Sequence, residues 1–201
     1  MSIHIHPSAD VSPLAKIGEN TSLWHQVQVR EGAQIGAHCI LSKGVYVDTD
    51  VVIGNNVKIQ NYVSIYHGVI IEDGVFIGPH VCFKNDLHHR AVNPDGSLKS
   101  PSDWEQTTTL VCHGASIGAN YTIRCGTTIG TWAMIGAGSL VTHDIPDHCL
   151  VWGNSPRLHG FVCMCGKNLS YYSTQDVEIA LRSQSCNRLV TIPAEYLAMV
   201  Q

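Results

Sequence analysis

Bulky apolar residues recur at every sixth position through much of the chain. From Ile5 to Phe83 each step of six lands on an aliphatic or aromatic residue, and after a break the series resumes at Val111 and continues to Val141. A smaller residue, most often valine or alanine, follows four positions after most of these anchors. An α-helix cannot produce this pattern, because six residues advance it by about 1.7 turns. The pattern therefore predicts short strands joined by tight turns, with the anchors pointing inward.

Three six-residue units would close one triangular coil of eighteen residues. Successive coils would stack at the spacing of neighbouring strands, about 4.8 Å. The competing architecture, a β-sandwich of short strands, would instead show alternation with period two and irregular loop lengths. We therefore predict an all-β fold, with a parallel β-helix over residues 3–157 and a short extension over residues 158–201.

The repeat is interrupted once. Phe83 and Val111 are twenty-eight residues apart, which is not a multiple of six. The intervening segment is polar and contains Asn-Pro-Asp-Gly at 93–96, a strong turn signal. Trp104 favours an ordered loop that packs against another part of the protein. Long loops on a rigid scaffold often carry functional residues. We predict that residues 84–107 leave the β-helix and help to form a binding site.

The eighteen-residue coil also predicts which side chains stack above one another. Asn85 should lie above His67, and His67 above Thr49, while Lys84 should lie above Tyr66. All of these are outward positions. A solvated face would show the same polarity, but the adjoining long loop favours a binding site.

Composition limits the classes of binding partner that are expected. The chain has 201 residues, 14% of them charged, and a formal net charge of −4. Binding to a nucleic-acid backbone normally requires a basic excess, so we expect no nucleic-acid partner. No stretch approaches the roughly 18 apolar residues of a membrane span, and the N-terminal residues lack a basic segment followed by an apolar run. We therefore expect a cytoplasmic protein without a membrane partner.

Eight cysteines are present, and in a chain read as cytoplasmic they are expected to be reduced thiols. Cys163, Cys165 and Cys186 form a separate group that resembles a reduced, degenerate zinc ribbon. Such a site needs a fourth ligand, for which His159 is the only nearby substitute. The alternative is a set of free thiols. The stretch at 174–184 has mild helical character.

Three strings carry a resemblance to a known family: VKIQNYVSIYHGVIIEDGVFIGPHVCFKNDLHHRA, WEQTTTLVCHGASIGANYTI and AMIGAGSLVTHDIPDHCLVWGNSPR. They resemble bacterial hexapeptide-repeat N-acetyltransferases that act on UDP- or dTDP-linked 3-amino sugars in the synthesis of surface-polysaccharide precursors, including lipopolysaccharide. The resemblance implies a left-handed β-helix, acetyl-CoA as co-substrate, and a homotrimer with substrate sites between neighbouring β-helices.

The resemblance also implies site residues. In these enzymes the asparagine corresponding to Asn85 lies beside the sugar amine, and the segments around 133–139 and Arg157 lie near coenzyme A. The expected cofactor-binding residues are Ala115, Ala133, Ala137, Ser139 and Arg157. The expected acceptor-binding residues are Tyr66, Lys84, Asp86 and Arg90. The sequence departs from the family at Lys84, where threonine is usual, and at His88 and His89, where Tyr-Pro or a similar pair is usual.

The expected chemistry is attack of an amine on a thioester. A neutral amine is already a nucleophile, so holding both substrates in attack geometry can supply most of the rate. We assign Asn85 to orienting the amine, and either His67 or Glu105 to accepting its proton. We expect the transfer to need no metal.

Two other functions remain open from the sequence. A hexapeptide-repeat metalloenzyme of the carbonic anhydrase type would need three histidine ligands, and only His143 and His148 show a suitable spacing. A non-catalytic β-helix scaffold would not need the long loop or the C-terminal strings that resemble coenzyme A binders.

Overall fold

The computed structural model describes residues 2–175 and 177–200 and confirms the predicted parallel β-helix of six-residue repeats. Its short strands form three flat faces. The first face contains His4–Ile5, Ser22–Leu23, Ile40–Leu41, Lys58–Ile59, Phe76–Ile77, Ser116–Ile117, Met134–Ile135 and Cys149–Trp152, with Arg157–Phe161 added antiparallel. The second contains Asp10–Val11, Gln28–Val29, Tyr46–Val47, Ser64–Ile65, Cys82–Phe83, Thr122–Ile123 and Leu140–Val141. The third contains Lys16–Ile17, Gln34–Ile35, Val52–Ile53, Val69–Ile71, Thr109–Val111 and Thr128–Ile129.

Stacking follows the eighteen-residue register. Ile65 pairs with Val47 in the coil before it and with Phe83 in the coil after it. From Leu23 to Val141 the anchors are buried, and they fill the interior together with the smaller corner residues. Ile5 is 45% exposed, because it lies in the first coil and has no neighbouring coil on one side. The core is thus the inward column of each face, and the outward positions remain free for function.

The interruption lies between the second and third faces. Val111 pairs with Ile71, forty positions earlier, whereas uninterrupted coils pair residues eighteen apart. The intervening segment folds on itself through an antiparallel bridge between Asp86 and Gln106 and a second between Val92 and Leu98, and it carries a 3₁₀ helix at Pro101–Asp103. The segment therefore leaves the coil as an ordered hairpin-like loop, and the β-helix resumes above it in phase.

Beyond the β-helix, three antiparallel strands form a small sheet: Leu169–Gln175, Glu178–Ser183 and Leu189–Pro193. A 3₁₀ helix at Ala194–Met199 follows them. The expected helical character at 174–184 is wrong, because burial in Glu178–Ser183 alternates with period two and buries Ile179 and Leu181. Two positions of the predicted extension, 176 and 201, lie outside the described residues.

All eight cysteines are free thiols. Within residues 2–175 and 177–200, no helix has the length and apolar character needed to cross a membrane.

Candidate active site

A cavity of about 600 Å³ opens where the inserted loop meets the second face. Tyr66, His67 and Asn85 line it from the coils, and Trp104 and Gln106 line it from the returning strand of the loop. The coil residues stand at outward positions just after inward anchors, so the stacking of the coils brings them together. The cavity forms because the chain leaves the coil directly after Asn85 and comes back beside it.

His67 is held in one orientation. Its Nδ1 lies 2.9 Å from the carbonyl oxygen of Thr49, one coil below, and its Nε2 lies 3.1 Å from the side-chain amide of Gln106. A carbonyl oxygen only accepts hydrogen bonds, so Nδ1 carries a proton, and in the neutral form of the ring the lone pair is then on Nε2. The atom of Gln106 that faces Nε2 in the structure is the side-chain oxygen Oε1, and exchanging the amide O and N would turn the NH₂ group toward this nitrogen. His67 therefore faces the cavity with a nitrogen that can accept a proton.

Asp48 fixes the floor of the cavity. Its carboxylate accepts hydrogen bonds from the Tyr46 hydroxyl at 3.0 Å and from the backbone N–H groups of Thr49 and His67 at 2.8 and 3.3 Å. Burial raises the pKa of Tyr46, so its hydroxyl stays protonated and continues to donate. These contacts fix the backbone around His67 and hold the cavity open before a ligand arrives.

Arg30 occupies the lower rim of the cavity. Its guanidinium makes two hydrogen bonds to Glu31, at 2.7 and 3.0 Å, and lies 3.6 Å from Asp48. The hydrogen bond from Arg30 lowers the pKa of Glu31, which stays ionised. Since two carboxylates, Glu31 and Asp48, face this one cation, Arg30 gives the rim no excess of positive charge.

The loop that closes the cavity is internally ordered. The carboxylate of Asp103 accepts hydrogen bonds from the backbone N–H and the hydroxyl of Ser100, at 2.7 and 2.8 Å, and these bonds lower the pKa of Asp103. At the tip, the N–H of Asn93 donates to the carbonyl of Ser97 at 2.8 Å. These local bonds hold the chain that leads into Trp104, so the indole has a fixed place at the mouth of the cavity.

The structure brings together some of the predicted acceptor-side residues and separates others. Tyr66, His67 and Asn85 line the cavity, whereas Glu105 is exposed and lies outside its lining. Successive side chains alternate in an extended segment. Trp104 and Gln106, the two neighbours of Glu105, therefore face the cavity, and Gln106 contacts His67.

Lys84 and Asp86 flank Asn85 in the chain without lining the cavity, and Arg90 lies outside its lining as well. The amino group of Lys84 lies 3.3 Å from Nδ1 of His89, and the carboxylate of Asp86 accepts a hydrogen bond from the N–H of His88 at 2.8 Å. Arg90 lines a smaller depression of about 270 Å³ together with the two histidines. The departure of the chain from the coil thus leaves a basic group next to the cavity.

The predicted cofactor residues lie in the upper coils. Ala115 and Ala133 are fully buried and Ser139 nearly so, with its hydroxyl donating to the carbonyl of Gly136 at 3.3 Å. Only their backbone atoms are available to a ligand. Ala137 and Arg157 are exposed and can offer side chains.

One group of potential metal ligands lies apart from the cavity. Among the described residues, the only set of three or more histidine, cysteine or acidic ligand atoms within 4.8 Å of one another is the Sγ atoms of Cys163, Cys165 and Cys186. Burial raises the pKa of Cys163, whereas hydrogen bonds from Ser183 and from the backbone of Arg188 lower the pKa of Cys186 to about 6.

Sequence reasoning missed several residues of the cavity. Gln106 contacts His67, and Arg30 and Tyr46 form part of the rim and floor. Arg30 could have been found by extending the column of Lys84 and Tyr66 two coils further, whereas Tyr46 stands in a neighbouring column, eighteen positions before Ser64 on the same face. No local signal identifies Gln106, because its contact depends on the path of the loop.

Comparison with known proteins supports the assignment of six-residue repeats. Residues 14–49 and 50–85 match the family model for the bacterial transferase hexapeptide (six repeats). A crystal structure of a hexapeptide transferase family protein from Anaplasma phagocytophilum covers 80% of this chain and 80% of its own, with a TM-score of 0.53 and 13% identity. At that identity the likeness shows the fold alone.

Two curated relatives share sequence with the chain. The dTDP-3-amino-3,6-dideoxy-alpha-D-galactopyranose 3-N-acetyltransferase of Aneurinibacillus thermoaerophilus is 52% identical over 69 residues, which are 34% of this chain and 36% of the relative. Serine acetyltransferase 2 of Arabidopsis thaliana is 33% identical over 149 residues, 74% of this chain and 31% of the relative. The matches thus span only about a third of the length of these relatives.

Proposed function

Because residues 14–85 consist of repeats of the bacterial transferase hexapeptide family, we propose that the protein is an acetyl-CoA-dependent N-acetyltransferase. Its acceptor is the amino group of a UDP- or dTDP-linked 3-amino sugar. The observation that carries this proposal is the cavity in which His67 and Asn85 face the returning loop. The partial identity to an enzyme named for the same reaction on a dTDP-linked 3-amino sugar supports it.

The cavity has the features that an amino sugar requires. Tyr46 and Tyr66 lie with ring centroids 5.6 Å apart and provide apolar surface against which a sugar ring can pack. Asn85 offers a carboxamide oxygen to the amine. Lys84, next to Asn85 in the chain, and Arg90 of the inserted loop are the cations that would meet the diphosphate of the nucleotide, for which Arg–phosphate pairing is well suited.

The reaction follows from these placements. The sugar nitrogen attacks the thioester carbonyl carbon, the C–S bond breaks, and the thiolate of coenzyme A leaves. Asn85 directs the nitrogen lone pair, and Nε2 of His67 accepts the proton that the nitrogen loses. The tetrahedral oxyanion needs a donor, for which a backbone N–H on a coil edge is suited. No step calls for a metal ion.

The upper coils would hold acetyl-CoA. Ala137 lies on an exposed corner of these coils, where its small side chain leaves the backbone accessible to a thin pantetheine arm. Arg157 is exposed near the end of the β-helix and can meet a phosphate of the cofactor. We propose that the active form is a homotrimer, in which outward apolar residues such as Ile40 and Phe76, 39% and 37% exposed, would face neighbouring copies.

A panel of UDP- and dTDP-linked amino sugars tests the proposal. Purified protein is mixed with acetyl-CoA and each sugar, and release of free coenzyme A is measured alongside the acetylated product. We expect turnover with one or more 3-amino sugars and none with the corresponding 3-hydroxy sugars. A scaffold protein would turn over none of them, and acetyl-CoA would not raise its melting temperature.

Removing the loop should separate acceptor binding from cofactor binding. We expect deletion of residues 92–103 to raise the KM for the acceptor by roughly tenfold or more, because Trp104 loses the hydrogen-bonded segment that positions it. Binding of acetyl-CoA, measured by calorimetry, should stay unchanged. The control is Leu98→Ala, since this side chain is 79% exposed and outside the cavity. An unchanged acceptor KM in the deletion variant would show that the loop has no part in the site.

A further inference from the structure

The three clustered cysteines of the C-terminal extension lie on two facing turns. The first turn, between Phe161 and Leu169, carries Cys163 and Cys165, and the N–H of Gly166 donates to the carbonyl of Cys163 at 2.7 Å. The second turn joins the strand that ends at Ser183 to the strand that starts at Leu189, and it carries Cys186. The Sγ atoms of Cys163 and Cys186 are 3.5 Å apart. The two turns therefore point their thiols at a common point.

Ser183 completes this arrangement at the place where a fourth ligand is needed. Its side chain is fully buried, and its Oγ lies 3.5 Å from Sγ of Cys165. The same Oγ accepts hydrogen bonds from the N–H groups of Ser185 and Cys186, at 3.3 and 3.4 Å. The second turn thus has the spacing of a C-x-x-C turn, with serine in the position of the first cysteine. This spacing was not visible from the cysteines alone.

His159 takes no part in the cluster. Its ring stacks on Trp152 with centroids 3.7 Å apart and an interplanar angle of 3°. This contact engages the ring of His159 with Trp152, which leaves Ser183 as the polar side chain next to the cysteines.

We propose that Cys163, Cys165 and Cys186 bind a structural zinc ion through three thiolates, with Ser183 in the fourth position. Zinc–sulfur bonds of about 2.3 Å place the sulfurs of a tetrahedral site about 3.8 Å apart. The 3.5 Å between Cys163 and Cys186 and the 4.8 Å limit on the whole set require only a small adjustment to reach that geometry. Thiolate donors favour zinc among the common divalent ions, and each thiol loses its proton on binding.

The ion would fasten the extension to the end of the β-helix. The first turn follows directly from a strand of the first face, and the N–H of Val162 donates to the carbonyl of His148 in the last coil at 2.8 Å. The second turn belongs to the separate three-stranded sheet. A shared metal would join these two parts at a place where Arg188 already contacts Met164.

Metal binding by the 201-residue chain tests this inference independently of transfer activity. Protein stripped of metal under reducing conditions is titrated with zinc chloride, and with cobalt chloride as a spectroscopic probe. We expect about one equivalent of zinc per chain and a cobalt spectrum of a tetrahedral thiolate site. Cys165→Ser and Cys186→Ser should lose both, while Cys112→Ser, which alters a thiol outside the cluster, should keep both.

The Ser183→Cys variant tests the site through tighter zinc binding, a result that a misfolded protein would not give. We expect this variant to hold zinc longer than the wild type against a competing chelator, because it adds a fourth thiolate. The proposal is overturned if the reduced wild-type protein takes up no zinc, if Cys186→Ser retains a full equivalent, or if Ser183→Cys releases zinc as fast as the wild type. A disulfide between Cys163 and Cys186 that persists in reductant and excludes metal would also overturn it.

Discussion

We expect His67→Ala to lower kcat by about two to four orders of magnitude, the range that a positioned general base usually supplies. The structure gives the reason, since the carbonyl of Thr49 holds a proton on Nδ1, and Nε2, which contacts Gln106 at 3.1 Å, is the ring nitrogen left to act as the base. The acidic limb of the pH profile of kcat should also flatten, because the group whose protonation stops the reaction is gone. Steady-state kinetics between mildly acidic and mildly basic pH measure both effects.

Two further variants test whether the loss of kcat is specific to the role of His67 as a base. His67→Gln keeps a side chain that can hydrogen-bond to Gln106 but cannot act as a base at neutral pH, so it should be nearly as slow as His67→Ala. His25→Ala removes an exposed histidine that stacks on His6 at the far end of the β-helix and should leave kcat unchanged. Recovery of activity in His67→Gln would instead assign His67 a positioning role. A mild His67→Ala together with an inactive Glu105→Gln would make Glu105 the base.

We expect Asn85→Ala to lower kcat by at least tenfold, and by about a hundredfold if the amine is fully misaligned. The carboxamide stands at the last position before the chain leaves the coil and lines the cavity with His67. Its loss removes the oxygen that orients the amine and leaves the residues assigned to acetyl-CoA unchanged. The KM for acetyl-CoA should therefore change little, and separate titrations of the two substrates measure the difference.

Asn61→Ala is the matched control for Asn85, because Asn61 is also an asparagine of the coils, with its side chain exposed. It should retain wild-type kinetics. If Asn85→Ala is severe and His67→Ala is mild, the rate arises from positioning, and the proton passes to solvent or to the departing thiolate. An Asn85→Ala variant with wild-type kcat would place the catalytic centre elsewhere.

The six-residue period made the architecture predictable because it is a local and repeated constraint. Each anchor from Leu23 to Val141 is buried by the same geometry, so one recurring pattern reports the same environment in every coil. The columns followed from the same arithmetic, and for that reason His67 and Asn85 could be placed in one patch. The stretch at 174–184 lacked such a repeat, and there the expected helical character was wrong.

The path of the inserted loop could not be predicted from the six-residue period. The sequence showed that residues 84–107 break the phase, and the turn at 93–96 was recognisable from its residue types. Which face of the returning strand meets His67 depends on long-range contacts, including the bridge between Asp86 and Gln106. The loop therefore places Gln106 in the lining of the cavity and Glu105 outside it, although adjacent residues are equally plausible by composition.

The sequence by itself determined the repeat, the inward and outward sides of each coil, and the column in which Thr49, His67 and Asn85 stack, because these depend on spacing along the chain. Tertiary structure alone decided the closure of the cavity by Trp104 and Gln106 and the meeting of Ser183 with the cysteine cluster. Those contacts join segments that no periodicity relates, and their geometry is set by how the loop and the extension pack against the β-helix.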